Sequence, residues 1–334
     1  MSGPIVSARG LRRTFRTFQR RPGLLGALRD LFAIGGEDRV ALRGLDLDIQ
    51  PGERVGLIGP NGAGKSTTVK LLCGILSPTS GTLMVGGRQP HRDRKAHVRD
   101  IGVVFGQRTQ LWWDLAVIEA YDLLAAIFQI PADVYRQRLA QFDDVLGIGE
   151  LLGRPVRELS LGQRMRCDIA AALLHQPPLL LLDEPTIGLD VAVKLKIRAF
   201  IADINARHGT TVILTTHDLG DVEAVCDRVL LIHRGALLYD GSVPALKAQL
   251  GGQRRLLLDL PAPLSAAEQG ALVAGLPAEA TWTGDQELSL RFSPAVGAAA
   301  LIRALLERTE IADLSVEEPS IDEVVARFYE DGER

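Results

Sequence analysis

The sequence predicts an α/β fold built on a parallel sheet, with a small α+β domain at its C-terminal end. Three observations predict it. Short aliphatic runs recur between helical stretches over about residues 40–240, and most are continuous rather than alternating, the pattern of strands buried on both faces. A glycine-rich loop joins one of these runs to a helix. Beyond Gly251-Gly252 the charge balance turns acidic and the pattern becomes strand, helix, strand, strand, helix, strand.

In chain order the core strands are expected at Arg54–Ile58, Ile101–Phe105, Leu179–Leu182, Thr211–Thr215 and Arg228–His233. The stretch from Val117 to about Leu152 reads as helical, with Asp114 as its N-cap. The tail reads as strand Arg255–Leu260, helix Ala266–Ala274, strands Ala280–Trp282 and Leu288–Phe292, helix Ala295–Glu307, strand Ile311–Glu317 and helix Ile321–Tyr329. The expected domains are 1–245, with an insertion at about 16–39 and a helical subdomain at about 108–170, and 251–334.

Composition narrows the function classes. The 334 residues carry 38 basic and 41 acidic side chains, a net charge of −3, so bulk binding to a polyanion such as nucleic acid is not expected. Charge is unevenly placed: residues 1–40 hold eight Arg and three acids, whereas 251–334 hold seven Arg and fifteen acids. Cys73, Cys167 and Cys226 form no CxxC or Cys/His cluster, which disfavours a disulfide framework or a zinc site. No apolar run approaches the ~18 residues of a spanning helix.

Gly59-Pro60-Asn61-Gly62-Ala63-Gly64-Lys65-Ser66-Thr67 follows the aliphatic run Val55–Ile58 and precedes Val69-Lys70-Leu71-Leu72. Glycines let backbone N–H groups turn inward around phosphate oxygens, and the next helix presents its positive end to the same anion. Lys65 can reach the β- and γ-phosphates, and the Ser66 hydroxyl can ligate Mg²⁺. GxxxxGK[ST] arises by chance in roughly one chain per hundred of this length. A phosphate cradle also needs a metal carboxylate and a group that activates water. Asp183, ending the run Leu179–Leu182, suits the first role, and Glu184, one residue on, suits the second.

With GPNGAGKST, Leu159-Ser160-Leu161-Gly162-Gln163, LLLLDEPTIGLD and Thr215-Thr216-His217-Asp218 in this order, residues 1–240 resemble the ATP-binding cassette (ABC) family. The resemblance implies a P-loop ABC ATPase core with a helical subdomain, and ATP and Mg²⁺ as cofactors. It implies that Gln107 and His217 sense the γ-phosphate, Mg²⁺ and the attacking water. It implies head-to-tail pairing with a second cassette, homodimeric in the simplest case. Ser160, Gly162 and Gln163 would then face the nucleotide of the other subunit, and Asp190 its phosphate loop. Phe15 would stack on adenine and Val40 would support the base. Leu161 departs from the family's LSGGQ, which makes the backbone there less free to adopt positive φ.

The runs VVFGQRTQLWWDL and LSLGQRMR look like cassettes of bacterial ABC-2-type transporters, usually exporters. That implies an ATPase at the cytoplasmic face of the cell membrane, driving a separate permease. Trp112 and Trp113 are then candidate anchors for a helix of that permease. Within the insertion, residues 22–32 can form a short helix with Leu24, Leu28 and Leu31 on one face and arginines around it; a solvated insertion packed on its own sheet is the expected reading, and a surface for membrane or permease the alternative. The alternative is a soluble ABC ATPase acting on ribosomes or DNA. A single phosphate loop and only about 50 residues between Gln107 and the signature count against it.

Overall fold

The computed structural model describes residues 3–17, 37–106, 108–249 and 254–317. Gln107, the short helix expected at 22–32, Gly251-Gly252 and the helix expected at 321–329 lie outside them. The chain divides into two compact units, Met1–Gly241 and Ser242–Arg334.

The first unit opens with a long antiparallel hairpin, β1 (Val6–Thr17) and β2 (Glu37–Ile49), in which Phe15 lies opposite Arg39 and Thr14 opposite Val40. Next comes β3 (Arg54–Ile58), whose last four residues are buried. The glycine loop then leads to α1 (Lys65–Leu72). β4 (Ser80–Val85) returns to pair with β1, so the hairpin becomes a three-stranded antiparallel sheet.

The main sheet is completed by β5 (Ile101–Phe105), β6 (Leu179–Asp183), β7 (Thr211–Thr215), β8 (Arg228–His233) and β9 (Ala236–Ser242), in the order β5-β6-β7-β3-β8-β9. β5 through β8 and β3 pair in parallel. Leu179, Leu180, Leu181 and Leu182 are each at most 1% exposed, because β6 has strand neighbours on both edges and packed layers on both faces. A parallel sheet places all its carboxyl ends on one edge. The ends of β3, β5, β6 and β7 therefore meet where the glycine loop begins.

The helical segment departs from the single stretch expected. It is two helices, α2 (Val117–Phe128) and α3 (Ala132–Leu146), separated at Gln129-Ile130-Pro131. Pro131 lacks an N–H and cannot continue a helix, and Gln129 ends α2 in the left-handed region at φ 55. The cap of α2 is Ala116 rather than Asp114; Glu119 reaches back to the Ala116 N–H at 2.9 Å, while Asp114 pairs with Arg157 at 2.7 Å. α4 (Leu161–Leu173) follows and is almost wholly buried beyond its first turn. α5 (Val191–His208) begins after Asp190, and α6 (Leu219–Val225) after Asp218.

In the second unit, α7 (Val243–Gln249) precedes a four-stranded antiparallel sheet. Its elements are β10 (Arg254–Asp259), α8 (Ala266–Val273), β11 (Glu279–Thr283), β12 (Glu287–Phe292), α9 (Ala298–Leu306) and β13 (Asp313–Glu317). Strand order β11-β12-β10-β13 with this chain order is the split β-α-β arrangement. Its core joins Leu256, Leu258, Leu288, Leu290 and Phe292 of the strands to Leu272, Leu301 and Leu305 of the helices. α9 starts three residues later than expected because Gly297, at φ 71, separates it from a 3₁₀ turn at Pro294–Val296.

Candidate functional site

Gly59 leaves β3 with no room for a side chain: a Cβ there would sit 2.2 Å from the Ile232 carbonyl oxygen. Gly64, at φ 119, is the residue from which α1 starts, and a Cβ there would crowd Leu42 and the Ala41 carbonyl. These two constraints fold the loop tightly against the sheet. Lys65 is 7% exposed and its Nζ donates to the Gly59 carbonyl at 2.5 Å, curling over the loop. Burial pushes its ammonium pKa down, and the carboxylates of Glu184 and Asp183 oppose that shift. Arg39 of β2 also reaches this loop; its Nη2 lies 3.9 Å from where a Gly62 Cβ would be. The loop motif does not single it out, because Arg39 sits outside the loop in sequence.

An open cleft of about 770 Å³ lies over the carboxyl edge of the sheet. Asn61, Ser66, Asp183, Glu184 and His217 all line it, so three separate sequence motifs share one cleft. Phe105, Gly106 and Arg108, flanking position 107, line it too.

Asp183 and Glu184 are fixed from below by Thr215, the last residue of β7. The Thr215 hydroxyl donates to Asp183 Oδ1 at 2.5 Å, and its carbonyl accepts from the Glu184 N–H at 2.9 Å. Gly106 N–H donates to the Asp183 carbonyl at 2.7 Å, and a Cβ at Gly106 would fall 2.0 Å from the Glu184 carbonyl. Glu184 itself has φ 55, the left-handed region that a non-glycine residue seldom adopts. Its Oε2 meets His217 Nδ1 at 2.7 Å. An ionised carboxylate is acceptor-only, so in a bond to one Nδ1 is the donor, and the His217 side chain is exposed.

Ser160, Gly162, Gln163 and Asp190 do not line this cleft. Ser160 caps α4: Gln163 N–H donates to its Oγ at 3.3 Å, and Ser160 N–H donates to Gln163 Oε1 at 3.0 Å. Asp190 caps α5, accepting from Val193 N–H at 2.9 Å. Leu161 is the first residue of α4 and is absent from the positive-φ positions, so the backbone asks nothing of a glycine there. Phe15 and Val40 are half-buried on the β1–β2 hairpin, and the Arg13 guanidinium lies 4.7 Å over the Phe15 ring. Trp112 and Trp113 are 43% and 50% exposed, and the Arg164 guanidinium lies 5.5 Å from the Trp113 ring.

For a divalent cation, the described oxygen donors lining the cleft include the Ser66 hydroxyl and the Asp183 carboxylate, both hard oxygens of the kind Mg²⁺ takes. The residues fit that ion. No helix among the described residues is long and apolar enough to cross a membrane.

A family model described as ABC transporter matches residues 42–187. The chain is 32% identical to the daunorubicin resistance ATP-binding protein DrrA3 of Streptomyces coeruleorubidus over 302 residues, 89% of this chain and 93% of that protein. It is 37% identical over 216 residues to an uncharacterized ABC transporter ATP-binding protein of Nostoc, spanning 64% of this chain and 62% of that protein. Among solved structures it is similar to the dimeric ATP-binding cassette MJ0796 bound to ADP and Pi, at 25% identity and a TM-score of 0.59, covering 71% of this chain and 98% of that one.

Proposed function

Because the chain belongs to the ABC transporter ATP-binding proteins, we propose that its cleft hydrolyses Mg-ATP between two cassettes and that this drives a separate ABC-2-type membrane permease, most simply as an exporter. The observation that carries the reading is the 2.7 Å Glu184–His217 contact at the mouth of the phosphate loop.

Loop residues 59–67 wrap the triphosphate, with Lys65 released from the Gly59 carbonyl to the β- and γ-oxygens. The N-terminus of α1 adds partial positive charge to the same place. Ser66 and Asp183, with Gln107, would hold Mg²⁺. When bound, the ion would supply neutralisation of the phosphate charge. Glu184 accepts a hydrogen bond from water and aligns it on the γ-phosphorus. As the new P–O bond forms, the bond to the β–γ bridging oxygen breaks, ADP leaves with that electron pair, and the water's proton passes to Glu184 and on to the phosphate formed. His217 fixes the Glu184 carboxylate through Nδ1 and turns Nε2 toward the departing phosphoryl oxygens.

Ser160, Gly162, Gln163 and Asp190 lie away from this cleft, which supports a role toward a second cassette. Phe15 takes the adenine on the face that Arg13 leaves open, with Val40 beside it. The exposure of Trp112 and Trp113 supports a permease contact there, with the subunit working at the cytoplasmic face of the membrane.

The test is light scattering of the Glu184→Gln protein with and without Mg-ATP. A dimer that forms only with the nucleotide is the expected result. A protein that binds no nucleotide would overturn the reading.

A further inference from the structure

Resting on the reading above, the geometry points to Asp221 as a positioning residue for hydrolysis: we propose that its buried carboxylate clamps the segments bearing Glu184 and His217 together, so that their contact is held in register.

Asp221 stands in the first turn of α6 and is 1% exposed. Both of its oxygens are engaged. Oδ1 accepts from Arg198 Nε at 2.7 Å and Nη2 at 2.5 Å, which neutralises the charge and ties in α5. Oδ2 accepts from the hydroxyl of Thr186 and, at 3.5 Å, from that of Thr216. Thr186 lies two residues after Glu184, and Thr216 lies one residue before His217. One carboxylate oxygen thus reaches both arms of the catalytic pair without touching either side chain. Thr216 is held a second time, its Oγ1 accepting from Asp218 N–H at 3.0 Å.

The placement matters because Glu184 is strained. A non-glycine residue in the left-handed region persists only where its surroundings over-determine it. The upstream constraint is the pair of bonds from Glu184 N–H to Thr215. The Thr186 hydroxyl on Asp221 is the downstream one. Without it, the strand-end turn can relax toward ordinary φ and carry the carboxylate away from His217. Thr186 and Thr216 are themselves 4% and 2% exposed, so water cannot readily replace the lost partner. A misplacement of about 1 Å at a reacting group costs roughly 100-fold in rate.

The test compares Thr186→Val with Thr186→Ser in steady-state ATP hydrolysis, alongside fluorescent-nucleotide binding and thermal unfolding. Valine removes the hydroxyl at nearly constant shape and leaves the Asp221–Arg198 pair intact. The expected result is a kcat about 10-fold or more below wild type for Thr186→Val, with nucleotide affinity within about two-fold, and recovery in Thr186→Ser. Asp221→Asn, where it folds, should repeat the kcat loss. Wild-type kcat in Thr186→Val would overturn the proposal, as would a loss that serine fails to restore or that tracks the melting temperature. A wild-type protein that binds no Mg-ATP would instead sink the functional reading on which the proposal rests.

Discussion

Thr215 and Asp183 form a strand-end pair, the threonine hydroxyl 2.5 Å from the carboxylate, and the same threonine receives the Glu184 N–H on its carbonyl. Neighbouring β6 and β7 thereby present the metal carboxylate and the water-polarising carboxylate from one rigid point. Thr215 is fully buried, so no solvent molecule shares the task.

Replacing Thr215 by Val should therefore weaken the Asp183 site. A hydrogen bond to a charged group is worth about 1.5–3 kcal/mol. We expect ATPase activity to require at least several-fold more Mg²⁺ for half-maximal rate, and Thr215→Ser to behave like wild type. A magnesium titration of the hydrolysis rate checks this.

The left-handed backbone at Glu184 gives an inverted stability order. In ordinary strands and helices Ala is favoured over Gly by roughly 0.5–1 kcal/mol. Here Glu184→Gly and Glu184→Ala lose the same carboxylate, but only Gly is at ease at φ 55. Glu184→Gly should be the more stable of the two by about 1 kcal/mol, and neither should hydrolyse ATP. Urea unfolding of the two inactive proteins decides it.

Asp168 of α4 carries a pH signature. It is 3% exposed, and burial raises its pKa to about 6, against bonds from Thr109 Oγ1 at 2.8 Å and Gln110 N–H at 3.1 Å that favour the charged form. Between the unfolded value of 3.8 and about 6 the folded protein holds the extra proton. Stability attributable to this group therefore falls as pH rises through that window and stays low above it. Each tenfold change in proton affinity between the folded and unfolded chain is worth roughly 1.4 kcal/mol, so the swing amounts to a few kcal/mol. Asp168→Asn should flatten this part of the profile and be no less stable than wild type at pH 7.5. Unfolding curves at pH 4.5, 6 and 7.5 for both proteins test the sign.

The core strands were legible because burial on two faces leaves only aliphatic residues, and Leu179–Leu182 can hardly be read otherwise. The fold class followed from them. The break at Pro131 was written in the sequence, yet the apolar periodicity on either side masked it. The glycine loop carries its chemistry in its own residues, and so it stood out. Thr215 and Thr216 did not, because a β-branched residue at a strand end reads as ordinary strand composition. Asp221 reads as one acid among several on a short helix; only the fold brings Thr186 and Arg198 to it. Leu161 leaves the signature backbone less free to adopt positive φ, and the fold makes no such demand there. The position is the first turn of a helix, where a leucine is more at home than a glycine.

The reciprocal cap at the start of α4 has an electrical consequence. A hydroxyl and a carboxamide are both ambivalent groups, able to donate or accept a hydrogen bond. In the cap, the Ser160 oxygen receives from the Gln163 backbone, and the Gln163 side-chain oxygen receives from the Ser160 backbone. The cap takes up one of the two lone pairs on each oxygen and leaves the side-chain hydrogens uncommitted within it. At the positive pole of a helix, two side chains of mixed character are thereby biased toward donating, which favours an anion over a cation.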